Sequence, residues 1–345
     1  MPKKITVGVV GCGNIFKKHY AALIKNKNLF DIIEICEINL KKIERYKFNK
    51  KIIKFDNYSK FISTSRADII ILCTPNHLHY QQSLLAAKYN KNILTEKPMS
   101  LNFKDSKRMV NLFKKKNLHL FVLMQIRFNP IINKLKKMIS NKNFGEIRLI
   151  NINVIWNRSQ EYYDSAKWRG TKSMDGGIFL NQTSHHLDLI TFLFGLPKKI
   201  NTLTTKTRRN IQVEDTGTIN MMFDNFAIGS FNVTMLNNFG NLETSMTIIG
   251  TKGSIIVGGL SLDKIKYYRS SANNQKILNL NKKDRLFFTE PSKGHEIYYK
   301  NMYNCLMGEK NNTPTGADCL NTMKLIDTIY RSSKIIDTKN NKSDS

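Results

Sequence analysis

Residues 5–16 read ITVGVVGCGNIF. The first six form a short, continuous apolar run rich in β-branched side chains, the pattern of a strand buried on both faces. Two glycines follow in the spacing Gly11-x-Gly13, and residues 14–26 then read as a helix. A glycine at 11 permits a tight turn. A glycine at 13 lets backbone N–H groups approach a pyrophosphate at the helix N-terminus, where the helix dipole is positive. The third position of such a turn is normally Gly or Ala, for close packing of helix on strand; here it is Phe16. Two glycines alone are a weak signal, and the flanking strand and helix are what give them weight.

Moving outward, strands and helices alternate. DIIEICEI (31–38) reads as a second strand, with the acidic Glu37 near its end, 21 residues past Phe16. An acid there would accept hydrogen bonds from an adenosine ribose and repel a 2′-phosphate, favouring NAD over NADP. LKKIERYKF (40–48) is expected to be a helix and IIKF (52–55) a strand. DIIILCT (68–74), NILTE (92–96) and LHLFVLM (118–124) are further strands, separated by helices over 77–90 and 100–117. This spacing predicts parallel strands joined by right-handed crossovers with helices on both faces: an α/β, Rossmann-type doubly wound parallel sheet covering residues 1–126.

From 127 to 345 the pattern changes. After a helix at about 130–140 come strand-like segments at 147–156, 199–207, 215–223, 226–234, 243–250, 253–259 and 264–270, punctuated by Gly, Asn and Asp-Asn turns. These predict an α+β domain with a large, open, mostly antiparallel sheet, one face covered by helices at 181–194, 294–308 and 315–335. A polar tail starts at about 338.

Composition narrows the function. The chain has 345 residues and a net charge of +29, with 55 Lys and Arg against 26 Asp and Glu. The lysines are spread along the whole length, and no arginine stripe interleaved with aromatics occurs, so the charge reads as a solvated surface rather than a nucleic-acid footprint. It would still attract an anionic substrate. No apolar run approaches the roughly 18 residues of a membrane span, and the apolar part of MPKKITVGVV is too short for a secretory leader. The five cysteines are scattered without disulfide or zinc spacing, so no metal and a reducing cytoplasm are expected.

Two motifs fall at strand ends, where ligands of doubly wound sheets bind. Cys73-Thr74-Pro75-Asn76 follows one strand and Thr95-Glu96-Lys97-Pro98 ends the next. Taken singly, the first is an ordinary turn and Lys97 a surface charge. In combination, Lys97 could hydrogen-bond a substrate hydroxyl and stabilise negative charge on oxygen.

GCGNI, an acid after the second strand, TPNHLH, EKP, Gly176-Gly177 and then a histidine with Asp188 downstream occur in order. This order resembles the glucose–fructose oxidoreductase/inositol dehydrogenase (Gfo/Idh/MocA) family over essentially the whole chain. The resemblance implies an NAD(P)-dependent enzyme oxidising or reducing a sugar-like carbinol, with Lys97 and His185 catalytic, and Glu37 favours NAD. It also implies a cofactor site of Gly11, Gly13, Asn14, Ile15, Glu37, Thr74, Pro75, Asn76, His79, Glu96, Lys97 and Gln125. QIRFNP (125–130), YYDSAKWRGT (162–171), GGIFLNQ (176–182) and VEDTG (213–217) look like one branch of the family, the nucleotide-sugar 3-dehydrogenases. That branch acts on UDP-N-acetylglucosamine or its uronic acid, making a 3-keto sugar for amino-sugar, surface polysaccharide or lipopolysaccharide synthesis. An aspartate found four residues before the histidine in the inositol-dehydrogenase pattern is Asn181 here, as in the nucleotide-sugar branch. A homodimer or homotetramer is implied as well. The rival readings are a dehydrogenase of a free cyclitol or monosaccharide, and a cofactor-binding regulator without catalysis.

The same segments suit an anionic, hydroxyl-rich ligand. Arg127 and Arg169 could hold a carboxylate or phosphate bidentately. Tyr163 and Trp168 offer faces to a ring, though packing would explain either. In NQTSHHLDL (181–189), a wheel at about 100° per residue places Asn181, His185 and Asp188 on one arc and His186 among Leu193, Ile190, Leu187 and Phe194. His185 is therefore expected to carry the chemistry and His186 to pack.

Overall fold

The computed structural model describes residues 3–48, 50–207, 209–271 and 279–337. The chain forms two compact units: residues 1–128 with 289–320, and residues 129–288 with 321–345. A single cut after residue 126, read from the sequence, misses the return of 289–320 to the first unit. The expected polar tail lies outside the described residues.

The first unit runs β1 (Ile5–Val10), α1 (Phe16–Lys25), β2 (Phe30–Cys36), β3 (Ile53–Phe55), α2 (Tyr58–Thr64), β4 (Ile69–Leu72), α3 (His79–Lys88), β5 (Asn92–Thr95), α4 (Phe103–Lys115) and β6 (Leu120–Val122). The strands form a six-stranded parallel sheet in the order β3-β2-β1-β4-β5-β6. The order reverses at β1, which is where ligands of such sheets bind, beyond the carboxyl ends of the strands. In β1 only Thr6 is other than buried, as an apolar run between two helical layers requires. The expected helix over 40–48 is a 3-10 turn at Leu40–Arg45, which buries only Ile43. So short a segment with a single buried side chain cannot support α-helical nucleation.

The second unit comprises α5 (Pro130–Ser140), β7 (Ile147–Ile155), α6 (Gln160–Asp164), α7 (Ser184–Phe194), β8 (Lys199–Lys206), β9 (Thr216–Met222), β10 (Ile228–Thr234), β11 (Glu243–Gly250), β12 (Gly253–Gly258), β13 (Lys264–Ser270) and, nearly all of it, α8 (Lys282–Thr289). After α9 (Lys293–Leu306), which belongs to the first unit, the chain returns through α10 (Leu320–Ser332) and β14 (Ser333–Asp337). The sheet has the order β13-β12-β11-β7-β10-β9-β8-β14, antiparallel except at β7–β10 and β8–β14. Burial alternates along β9 and β10, the signature of a sheet with one packed face. The last helix, expected to run to 335, ends at 332 and gives way to β14.

The returned α9 explains the mixed composition of the first core. Tyr298, Tyr299 and Met302 are fully buried together with Val7, Val9, Phe16 and Ile71. Tyr298 donates its hydroxyl to the carbonyls of Val122 and Pro314, tying β6 to the returned segment.

Candidate functional site

The parallel register gathers the candidate residues of the first unit. Val10 pairs with Cys36 and with Leu72, and Leu72 pairs with Thr95, so all four strands end at one edge. The loops carrying Gly11 to Ile15, Glu37, Thr74 to Asn76, and Glu96 with Lys97 therefore leave the sheet side by side. Gly11 has φ +89°, and a Cβ there would meet the Cys73 carbonyl oxygen at 2.9 Å, so only glycine fits. Gly13 is different: a Cβ would meet no protein atom within 4 Å. Packing among the described residues therefore does not account for that glycine.

Phe16, the departure from the glycine pattern, is fully buried, with its ring edge-on to Tyr46 at 4.6 Å between centroids. An aromatic pocket replaces close backbone packing at that position. Glu37 is 7% exposed; it accepts from the backbone N–H of Cys12 at 2.6 Å, from that of Asn39 at 3.1 Å, and from the Lys42 ammonium at 3.3 Å. The acid is thus anchored at the glycine turn itself, and a carboxylate with four lone-pair sites retains capacity for a ribose hydroxyl.

The two strand-end motifs are locked together. The His79 ring lies between two carbonyls, Nδ1 at 2.7 Å from Pro98 O and Nε2 at 2.8 Å from Thr74 O. Burial lowers its pKa, while both carbonyls pull the other way. Glu96 is buried; its Oε1 lies 2.8 Å from His19 Nε2 and its Oε2 accepts from the Lys97 backbone N–H at 3.2 Å. Burial alone would raise the Glu96 pKa, but the His19 hydrogen bond and charge, with help from His295 and Lys97, hold it down at about 2. The other ring nitrogen of His19 meets Tyr299 Oη at 2.7 Å. His19, Glu96 and His295 are the one group of metal-ligand residue types gathered among the described residues. Both ring nitrogens of His19 thus lie within hydrogen-bond distance of side-chain oxygens, Nδ1 of that of Tyr299 and Nε2 of that of Glu96. As placed, His79 and Glu96 brace the loops that carry Thr74 and Lys97. Gln125 and Arg127 sit on a 3-10 turn after β6, and Arg127 donates to the Asp318 carbonyl at 3.2 Å.

The second unit carries its own set of candidate residues. Gly176 and Gly177, both at positive φ, lead into a π-helical turn at Ile178–Gln182 and then into α7. A Cβ on Gly177 would fall 2.6 Å from Glu214 Oε1, which accepts from the Ile178 N–H at 2.9 Å and the Tyr330 hydroxyl at 2.8 Å. Burial raises the Glu214 pKa to about 7 against these hydrogen bonds. Glu214 thus organises the turn that precedes His185.

The π-turn interrupts the uniform wheel assumed for Asn181 to Leu189. Within α7, even so, His185 is partly exposed and His186 is 5% exposed, its ring edge-on to Trp156 at 5.4 Å. Asp188 is fully buried and accepts from the Thr322 hydroxyl at 2.7 Å, tying α7 to α10. Asn181 is buried on the turn. Tyr163 is 4% exposed, so its ring packs rather than presenting a face. Trp168 is partly exposed, with the Arg169 guanidinium 4.8 Å from its ring centroid. Sequence reasoning did not single out Arg158, Tyr162 and Gln182; Arg158 and Tyr162 lie four residues apart beside Arg169, and only the fold brings Gln182 to them from the π-turn.

Residues 5–124 match the family description "Oxidoreductase family, NAD-binding Rossmann fold", and residues 136–335 match "Oxidoreductase family, C-terminal alpha/beta domain". The chain is similar to the WlbA dehydrogenase of Bordetella pertussis, solved in complex with NADH and UDP-GlcNAcA. Identity is 36% over 96% of each chain, with a TM-score of 0.90. The Chromobacterium violaceum WlbA dehydrogenase, solved with the same two ligands, is also 36% identical, over 96% of this chain and 94% of that one, with a TM-score of 0.87. The myo-inositol 2-dehydrogenase of Thermotoga maritima is 27% identical over 55% of this chain and 54% of its own.

Proposed function

The chain belongs to the Gfo/Idh/MocA oxidoreductase family and is an NAD-dependent enzyme acting on the CH–OH group of a sugar, and from that premise we propose that its substrate is a UDP-sugar. The reaction is oxidation of the 3-hydroxyl of UDP-N-acetylglucosaminuronic acid or UDP-N-acetylglucosamine, giving a 3-keto nucleotide sugar for amino-sugar and surface-glycan synthesis. The observation that carries this reading is the 36% identity, over 96% of both chains, to a dehydrogenase solved with UDP-GlcNAcA.

The first unit fits the cofactor: Gly13 leaves room for a pyrophosphate and Glu37 supplies the acid for the ribose. When bound, NAD supplies the hydride acceptor. The chain's own residues do the rest. His185, partly exposed on α7, takes the proton of the sugar hydroxyl on a ring nitrogen, as an imidazole positioned for general-base catalysis does. The Lys97 ammonium hydrogen-bonds the same hydroxyl and offsets charge on the forming carbonyl oxygen. Glu96, held ionised by His19, fixes the backbone from which Lys97 projects. Asn181 holds the substrate without accepting its proton.

The test is formation of reduced nicotinamide, followed by absorbance, with NAD and each of three substrates: UDP-N-acetylglucosaminuronic acid, UDP-N-acetylglucosamine and myo-inositol. Turnover of either nucleotide sugar, lost by at least ~100-fold in Lys97→Ala, is expected. Turnover of inositol alone would establish the cyclitol reading. An undiminished Lys97→Ala enzyme would remove that lysine from the mechanism. The expected homodimer or homotetramer is checked by light scattering of the eluting protein.

A further inference from the structure

Two arginines of the second unit crowd one aromatic ring with no carboxylate paired to either among the described residues. The guanidinium carbon of Arg169 lies 4.2 Å from the Tyr162 ring centroid and that of Arg158 lies 5.4 Å from it. Arg158 donates to Gln182 Oε1 at 2.8 Å, to its neighbour's carbonyl at 2.6 Å and to Asn241 Oδ1 at 3.3 Å. Arg169 donates to the Tyr162 hydroxyl, which also accepts from Gln182 Nε2 at 2.7 Å, while Arg169 Nε is buried without an acceptor among the described residues. Among the described residues every partner of the two cations is neutral. By contrast, Arg148 and Arg331 elsewhere in the unit each pair with a carboxylate.

Guanidinium groups stay charged at any working pH, so two of them on one ring repel, and partly buried donors left unmatched cost free energy. An oxyanion of a ligand would relieve both costs, and the planar fork of arginine suits it. The position is also telling. Gln182, which bridges Arg158 to Tyr162, ends the π-turn that carries Asn181, three residues before His185. We propose that Arg158 and Arg169, set by Tyr162 and Gln182, form an oxyanion-binding subsite for the sugar substrate. Its ligand is either a carboxylate on the hexose or the diphosphate of the nucleotide. The assignment rests on the UDP-sugar reading.

The protein supplies its own probe. Its only two tryptophans are Trp156 and Trp168. The Arg158 guanidinium lies 5.0 Å from the ring of the first and that of Arg169 lies 4.8 Å from the second. Tryptophan fluorescence is titrated with UDP, UDP-N-acetylglucosamine and UDP-N-acetylglucosaminuronic acid, in the wild type and in R158M, R169M, R158K and R169K. A saturable change is expected in the wild type, with affinity lowered at least ~10-fold in the methionine variants and less in the lysine variants, which keep the charge but lose the fork. Weakening confined to the uronic acid assigns the subsite to the carboxylate; equal weakening for all three probes assigns it to the diphosphate. Wild-type affinity for every probe in both methionine variants, or no saturable change in the wild type, overturns the proposal. Reduced-nicotinamide formation measured in parallel separates this from the functional reading. Turnover with arginine-independent binding sinks only the subsite, and arginine-dependent binding without turnover sinks only the reaction.

Discussion

Glu96 stands between His19 and Lys97, its Oε1 2.8 Å from the imidazole Nε2 and its Oε2 3.2 Å from the Lys97 backbone nitrogen. One buried carboxylate therefore binds α1 to the loop that carries the candidate catalytic lysine. Burial opposes its ionisation, and the His19 hydrogen bond more than offsets that cost.

The sign of the resulting pH dependence follows. The folded pKa, about 2, lies below the ordinary value of 4.5. The stabilisation is complete above the unfolded value and is lost as pH falls from there through the folded one. Glu96→Gln should therefore lower unfolding free energy by about 3 kcal/mol at pH 7, with the difference from wild type shrinking toward pH 3. Denaturant unfolding at several pH values measures this, and a pH-independent difference would contradict it.

Glu214 behaves in the opposite sense. Burial raises its pKa from 4.5 to about 7 despite hydrogen bonds from Tyr330 and the Ile178 and Phe179 backbone. The folded state then binds more protons than the unfolded one, and stability falls as pH rises between those two values. Glu214→Gln keeps an acceptor for the Ile178 N–H and abolishes that fall. The variant should match wild type near pH 4 and exceed it by about 3 kcal/mol at pH 8. A variant less stable than wild type at pH 8 would show that the ionised carboxylate is needed there.

The adjacent histidines should separate cleanly. His185→Asn is expected to fold normally and lose ~100-fold or more in kcat, the usual worth of a positioned base. His186→Phe keeps an aromatic edge against Trp156 and should change kcat by less than ~3-fold, in line with volume-conserving substitutions in a core. Thermal unfolding run beside the kinetics guards against misfolding; the reverse kinetic pattern would exchange the two roles.

Glu37 should govern cofactor choice. Glu37→Ala removes the carboxylate anchored on the Cys12 N–H and leaves Lys42, now its ion-pair partner, free to meet a 2′-phosphate. The ratio of kcat/KM for NAD to that for NADP should fall by at least ~10-fold, the equivalent of one charged hydrogen bond. An unchanged ratio would place cofactor discrimination elsewhere.

The first unit was legible because its signals are local. An apolar strand, a glycine turn and a helix occupy consecutive residues, and the six-stranded parallel sheet follows from their repetition. Failures occurred where local pattern and packing part company. Leu40–Arg45 has helical residues but only Ile43 to bury, and Ser333–Asp337 continues a helical pattern yet pairs with β8.

The candidate site divides the same way. Gly11, Glu37, Lys97 and His185 stand out in the sequence because backbone conformation, strand ends and helix faces are written in neighbouring residues. Tertiary structure alone brings Tyr299 to His19, 280 positions away, closes Glu214 under Gly177, and brings Gln182 to Arg158 and Tyr162. Periodicity and propensity carry no term for such pairings. They arise when two units bury their cores and each enclosed polar group must find a partner or bear the cost of having none.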